Sequence, residues 1–446
     1  MVRFSSFLVA FLPLALSAQG ADDPLGSIVA EALRNNLGIA QERLASERAA
    51  ASVREARGRF FPSLSLDSRY SEQRNTLNLG EVVNPAYAAL NQMIGEHRFP
   101  TDLDLTLPLA HESRLRLVQP LFNMSIAAGY SASRHSRDAQ GFQQRSFARR
   151  LAADAQTSYL NLATARSARK TWEATLALVV ESERVANRLV EAGRTTPDAV
   201  FRARADRSDV EQKLAEARDD EDAAARAFNQ LLRRPLDTPV DELSDSLVSF
   251  EIRLTEDEAV ARALERREEL AQITAGIRAA DAGVRAATAS FVPNVALALD
   301  YGVQGQELRF SRDNDFAVAS VVLSWNLFNG GQDLARRQGA QADAGRLRLR
   351  RAELEDLVRL DVTRAYRAAV VARDAISTAE AGLAAARRSF ELVRRRYEEG
   401  LASQVEFLDA RTSFTNAELN RAITVYRYAI RYVDLERAAA VRHLDP

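Results

Sequence analysis

Proline is absent from residues 121–196 and again from residues 294–445. Both stretches are rich in Ala, Arg, Glu and Leu. Strong helix formers at helical spacing without breakers predict helices far longer than the globular norm. The run over residues 124–192 would reach on the order of 100 Å at ~1.5 Å per residue. A single globule has no need of such a helix, whereas a tube or coiled coil does.

The chain also repeats itself. Residues 26–70 align without a gap against residues 257–301, with 15 identities in 45 positions, among them Val29/Val260, Ala32/Ala263, Leu33/Leu264, Phe60/Phe291, Pro62/Pro293 and Tyr70/Tyr301. Later in each half, Leu121-Phe122-Asn123 matches Leu327-Phe328-Asn329, and Gly193 with Ala203-Arg204 matches Gly400 with Ala410-Arg411. Such self-similarity points to a duplicated segment. It divides the chain into a first repeat, 21–240, and a second, 241–446. Each holds a helix, a β-hairpin (about 60–122 and 291–329) and long helices (124–234 and 332–440). The segment 231–249, with Pro235, Pro239 and several acidic residues, links the halves, and a short polar tail follows Ala438.

The strands show a period of two. Ala317, Ala319, Val321, Leu323, Trp325 and Leu327 point one way, and Val318, Ser320, Val322, Ser324 and Asn326 the other. Leu103, Leu105, Leu107 and Leu109 alternate with Asp104, Thr106, Pro108 and Ala110, and the parity continues through Leu115 and Leu117 against Arg114 and Arg116. Leu64 and Leu66 against Ser63, Ser65 and Asp67, and Val295, Leu297 and Leu299 against Asn294, Ala296 and Asp300, supply two more strands. Four strands in two hairpins, each with one apolar face, suit lipid outside and water inside. The alternative is a small sheet packed on the helices, but Arg114 and Arg116 then have to be solvated. Phe122 follows Pro62 by 60 positions while Phe328 follows Pro293 by 35, and the 25 extra residues, around 81–101, read as a longer exposed hairpin loop.

Lys+Arg of 60 against Asp+Glu of 61 leaves no overall basic field, which disfavours nucleic acid as a partner. The absence of cysteine excludes disulfides, thiolate metal sites, a cysteine nucleophile and a lipid-modified amino-terminal cysteine. Arg3, the apolar run 4–16 and Ala18-Gln19-Gly20 read as a secretory signal peptide over residues 1–20, the alternative being a short buried helix. Beyond it no window approaches the ~20 apolar residues of a membrane helix, so a membrane span has to be a barrel. Four antiparallel strands cannot close one, and an open edge in lipid costs several kcal/mol for each unsatisfied group. A symmetric ring of chains resolves this and packs the long helices side by side into a conduit.

Phe60-Phe61-Pro62-Ser63-Leu64, Val118-Gln119-Pro120-Leu121-Phe122-Asn123, Trp325-Asn326-Leu327-Phe328-Asn329-Gly330-Gly331 and the turn from Gly400 to Arg411 resemble the TolC family of outer membrane efflux proteins. The resemblance covers about residues 25–440, in the family's order and with its duplication. It implies an α+β fold: a homotrimer whose four strands per protomer form one transmembrane β-barrel, continuous with a long α-helical coiled-coil barrel crossing the periplasm. It implies an outer-membrane location and, as partners, outer-membrane lipid, a periplasmic adaptor protein and an inner-membrane transporter. The implied role is the exit duct of a tripartite efflux or type I secretion system.

The same resemblance implies a gate. Tyr397 corresponds to an aromatic just before the second turn, and Glu406 and Asp409 to two carboxylates after it. The latter are three apart and share a helix side, so three copies around an axis place six carboxylates at the narrowest point. Such a ring attracts cations and crowds like charges, raising some of its pKa values. The plainer alternative is a solvated helix face. Some family members hold an arginine two residues after the turn glycine. Here that position is Ala402, so a lock built on that cation lacks its counterpart, and Asp198, in the equivalent turn of the first copy, is the candidate for a rearranged lock. The turns Gly193-Arg194-Thr195 and Gly400-Leu401-Ala402 resemble adaptor-docking tips, and glycine there also C-caps a helix. Trp325 is a candidate for an interfacial aromatic belt or a core position. The histidines His97, His111, His135 and His443 form no metal-ligand spacing, and no nucleophile elbow, P-loop or dinucleotide fingerprint occurs. An enzyme is therefore not expected, nor a metal or cofactor. The rival to a conduit is an exported coiled-coil scaffold without a pore.

Overall fold

The computed structural model describes residues 24–72, 77–104, 106–107, 111–242, 250–305 and 314–442. The signal-peptide segment, His443 and the tip of the second hairpin lie outside these residues. The chain forms two compact units, one drawn from residues up to 46, 141–272 and 351 onward, the other from 47–140 and 273–350.

Both halves begin with a helix broken once. Helix α1 (Pro24–Asn35) and α2 (Leu37–Gly58) are interrupted at Asn36, and their counterparts α6 (Glu256–Arg266) and α7 (Glu268–Thr288) at Arg267. These two positions are aligned in the repeat, although the chemistry of each break differs. Asn36 accepts the Gly38 amide at 2.8 Å on its side-chain oxygen and donates to the Leu231 carbonyl at 3.2 Å, an N-cap built by an asparagine. Arg267 adopts extended backbone and its guanidinium donates to Asp361 at 2.8 Å. The sequence reading expected one uninterrupted helix in each place. Helical periodicity survives a one-residue break and hides it.

The long helices follow as expected. Helix α4 (Met124–Glu191) has 68 residues and α8 (Gln332–Glu398) has 67, each followed by a 35-residue partner, α5 (Asp198–Leu232) and α9 (Gln404–Ala438). In the first unit, α1 and the start of α2 seal onto α4 and α5 through Leu25, Ile28, Ala32, Ile39, Leu151, Tyr159, Phe228 and Leu232. Helix α6 seals onto α8 and α9 through Ala259, Ala263, Val358, Val362, Leu435 and Ala438. The aligned alanines Ala32 and Ala263 are both fully buried, so this aligned pair sits in the packing seam of each half. At Gly38 a Cβ would stand 2.3 Å from the Phe147 ring, which makes this glycine a close-approach position.

The second unit carries the strands β1 (Ser63–Tyr70), β4 (His111–Phe122), β5 (Asn294–Gly305) and β6 (Asp315–Ser324), in one antiparallel sheet of order β1-β4-β5-β6. Register places Leu64, Leu117, Leu299 and Ala319 in one row and Leu66, Leu115, Tyr301 and Ala317 in another. Intervening rows hold Ser65, Arg116 and Asp300, and Asp67 and Arg114. The alternation read in the sequence is therefore a real division into faces. Arg116 clasps Asp300 through two bonds of 2.7 and 3.1 Å, while Arg114 lies between Glu112 (3.2 Å) and Asp67 (4.0 Å). The arginines are thus neutralised across strands rather than left to solvent alone. Trp325 is half exposed, following β6 with its indole donating to the Phe291 carbonyl at 3.3 Å.

Two expectations about the first hairpin need correction. Of the strand expected to run from Leu103 through Leu117, Thr106–Leu107 (β3) pairs with Leu77–Asn78 (β2) in a separate small ladder and His111–Phe122 (β4) joins the main sheet, while Leu105 and residues 108–110 lie outside the described residues. The segment read as a long loop contains a 15-residue helix, α3 (Gly80–Ile94), ended by Gly95 in the left-handed conformation. Asn84 and Pro85 suggested a turn, but Pro85, the sixth residue of α3, lies inside the helix, which continues past it without the hydrogen bond that its missing N–H would make.

Candidate gate at the two helix turns

The two turns close with the same hydrogen bonds. Gly193 and Gly400 have φ of 66° and 78°, which a side chain rarely adopts. The Arg194 amide reaches the Leu189 carbonyl at 2.8 Å, and the Leu401 amide reaches Arg396 at 2.7 Å, each the long bond of a Schellman motif. Gly193, Arg194, Gly400 and Leu401 are exposed and Thr195 and Ala402 half-buried, so the loops present backbone and the Arg194 and Leu401 side chains outward.

The helices that leave the turns start differently. Helix α5 has Pro197 at its N-cap with no side-chain cap, and the Thr196 hydroxyl donates to Asp198. Arg202 lies one turn on, 3.2 Å from the other Asp198 oxygen. That hydroxyl first, and the Arg202 charge with it, hold the Asp198 carboxyl below the usual carboxylate range. Helix α9 has a full capping box: the Glu406 amide donates to the Ser403 hydroxyl at 3.2 Å, and the Ser403 amide donates to the Glu406 carboxylate at 2.8 Å. The Ser403 amide and hydroxyl keep the Glu406 carboxyl ionised to lower pH than an ordinary glutamate, with Arg396 adding a smaller pull. Glu406 and Asp409 are both exposed.

Tyr397 lies elsewhere. It is buried in an apolar cluster with Val185, Phe390 and Phe407, its ring stacked on Phe407 at 4.7 Å. Burial pushes its phenol above the ordinary value. Within one chain the expected gate set therefore separates into two exposed carboxylates on α9, an acid fixed at the start of α5, and an aromatic inside the packing between α4, α8 and α9.

Two links between the turns were not foreseen. The Gln404 side chain donates to the Ala199 carbonyl at 2.7 Å, and Arg411 donates to Asp206 at 2.6 Å with both side chains nearly enclosed. Burial raises the Asp206 carboxyl despite the opposing pull of Arg411; Asp209 raises it further and Lys213 lowers it. The repeat did mark Arg411, as the counterpart of Arg204. The two aligned positions differ: Arg204 is exposed and reaches Glu183 at 3.1 Å, whereas Arg411 turns inward. Among the described residues no group of three or more His, Cys, Asp or Glu could hold a metal ion, and no helix is long and apolar enough to cross a membrane.

The profile of the outer membrane efflux protein family matches residues 28–232 and 259–441. The chain belongs to the outer membrane efflux protein family. Protein CyaE of Bordetella pertussis is 32% identical over 190 residues, which span 42% of this chain and 38% of CyaE. The match thus covers well under half the length of that relative. The fold is similar to that of CusC, with a TM-score of 0.79 at 20% identity over 94% of this chain and 92% of that one. VceC of Vibrio cholerae gives 0.75 at 17% identity over 93% and 95%. The open MtrE channel of Neisseria gonorrhoeae gives 0.74 at 19% over 94% and 89%. For this outer membrane efflux protein such identities establish a shared fold, and the break between the two matched family segments falls at the linker between its halves.

Proposed function

We propose that this outer membrane efflux protein is the exit duct of a tripartite efflux or type I secretion system, a homotrimer that passes solutes or polypeptides from an inner-membrane transporter and periplasmic adaptor to the outside. The observation that carries the reading is the sheet. It has one apolar face and one charged face, and β1 and β6 end it on either side without a further partner among the described residues. Twelve strands from three chains satisfy both edges, place the leucine rows against lipid and turn Arg116 and Asp300 toward water. The exposed Trp325 then lies at a membrane interface. The two repeats, 21–240 and 241–446, each contribute one hairpin and one long helix pair, with residues 1–20 as the export signal.

In this reading the helix pairs form a coiled-coil barrel in the periplasm. Gly193, Arg194, Thr195, Gly400, Leu401 and Ala402 form the tips on which the adaptor docks. Glu406 and Asp409 line the closed end as a carboxylate ring with Asp198 nearby, and Tyr397 secures the start of α9 through Phe407 rather than facing the passage. The test is the purified protein in detergent and in planar bilayers. A heat-labile trimer on gels and discrete single-channel currents support the duct. A water-soluble, non-conducting rod overturns it in favour of an exported scaffold.

A further inference from the structure

Successive rows on the charged face of the sheet are each balanced in charge. Arg116 and Asp300 share one row, Asp67 and Arg114 the next, and Arg69 and Glu112 the one after. Among the described strand residues this face carries no other charge, since β6 contributes Phe316, Val318 and Ser320 to it. The ion pairs lie along the face. Arg116 on β4 reaches sideways to β5 and holds Asp300 through Nε at 2.7 Å and Nη2 at 3.1 Å. Glu112 takes Arg69 from β1 and Arg114 from its own strand, both at 3.2 Å, and Asp67 lies 4.0 Å from the Arg114 Nε. Gly302 stands beside Arg114, and a Cβ there would be 2.8 Å from the Arg114 Cβ, so the base of this arginine lies against bare backbone. Ion pairs this close to solvent contribute little to stability. Their effect is on the electric field above the face.

We propose that these pairs make the barrel wall electrically neutral, so that the barrel passes cargo of either charge and selection by charge falls to the helix end, with Asp300 as the positioning residue that keeps the Arg116 arm against the wall. The inference rests on the trimeric duct proposed above. In a ring of three chains each row becomes a belt of three bases and three acids, with no net charge. A belt of one sign would concentrate ions of the other sign in the passage. Opposite charges at hydrogen-bond distance leave only a short-range field, and salt screens what remains beyond about 8 Å. The two members of the closest pair differ in reach. Asp300 has 14% of its side chain exposed against 37% for Arg116. Its carboxylate is attached directly to Cβ and stays at the wall whether paired or not. The arginine is a long arm, and once released it extends into the passage.

The test is the reversal potential and conductance of single channels in planar bilayers under a KCl gradient. Glu406→Ala and Asp409→Ala are present in every protein, so that those carboxylates do not mask the barrel. Asp300→Asn is expected to move the reversal potential toward that of chloride and to lower the conductance. Arg116→Gln is expected to move it toward that of potassium at unchanged conductance, and the two changes together to restore the parent value. Ser65→Arg, in the same row as Arg116, breaks no ion pair and is expected to shift the potential as Asp300→Asn does, which keeps the test open if loss of one partner prevents assembly. Reversal potentials that stay at the parent value in all three single variants overturn the proposal, as does a double variant that differs from the parent. Opposite shifts with equal conductance in Asp300→Asn and Arg116→Gln overturn the positioning role of Asp300. Parent channels that conduct while the variants show no shift reject this inference alone, whereas wild-type protein that gives no current rejects the duct and the inference together.

Discussion

Asp206 on α5 and Arg411 on α9 are 205 residues apart and meet at 2.6 Å, with only 14% and 6% of their side chains exposed. This pair ties the helix after the first turn to the helix after the second. It is not saturated, since Arg411 Nε is buried without a partner. A buried pair is costly to break from one side because the remaining charge is stranded.

Arg411→Ala is accordingly expected to destabilise the protein by about 3 to 5 kcal/mol, while Asp206→Leu with Arg411→Met costs much less. Unfolding of the detergent-solubilised protein, followed by circular dichroism, compares the two. Similar losses in both would remove the ion pair from this account.

The pH dependence of Asp206 has a definite sign. Its folded pKa is raised by burial, so its contribution is fully present below the unfolded value and is lost as pH rises through the raised one. Asp206→Asn should flatten that loss on the alkaline side of the ordinary aspartate range. Stability profiles of wild type and variant that remain parallel there would reject it.

Glu406 behaves in the opposite way. Its lowered pKa gives stability that is present above the unfolded glutamate value and lost as pH falls through the lowered one. Ser403→Ala keeps the amide that is the larger cause of the shift, so it should reduce but not abolish this acid-side dependence, and the lost cap should cost about 1 kcal/mol, detected as faster amide exchange over residues 404–407. Unaltered exchange in that first turn would show that the box is dispensable.

Replacing Glu406 and Asp409 together by Ala should weaken block of single-channel current by polyvalent cations and leave the heat-labile trimer intact. Unchanged block in the double variant rejects the carboxylate ring.

On the sheet, Leu115→Arg should abolish trimer yield, since an arginine at mid-bilayer on the lipid face costs about 2 to 4 kcal/mol. Ser65→Arg, on the opposite face, should assemble normally. Equal assembly of both would contradict the orientation proposed for the sheet.

Much of the fold was readable from short-range patterns. The absence of proline located α4 and α8, period-two alternation separated the leucine rows from Arg114 and Arg116, and Gly193 and Gly400 marked turns whose left-handed backbone requires glycine. The candidate site was readable only as residue types. Glu406 and Asp409 share a helix face in any α9, but Tyr397 was assigned to a gate and is found stacked on Phe407 inside a cluster. Helix α3 is hidden in the sequence because Asn84-Pro85, Gly95 and Pro100 read as turn residues, while Pro85 lies inside the helix and Gly95 ends it.

The sequence by itself determined the long helices α4 and α8, the turns that end them at Gly193 and Gly400, and which side of a strand is apolar, but not the breaks at Asn36 and Arg267 or the helix α3. What it determined rests on propensity, periodicity or the steric freedom of glycine over a few neighbouring residues. Only the tertiary structure decided the partners, among them Asp206 for Arg411, Ala199 for Gln404 and Leu103 for Asn84. A hydrogen bond between residues remote in sequence depends on how helices and straps are rotated against one another. That rotation is set by the packing of the whole unit rather than by any periodicity along the chain.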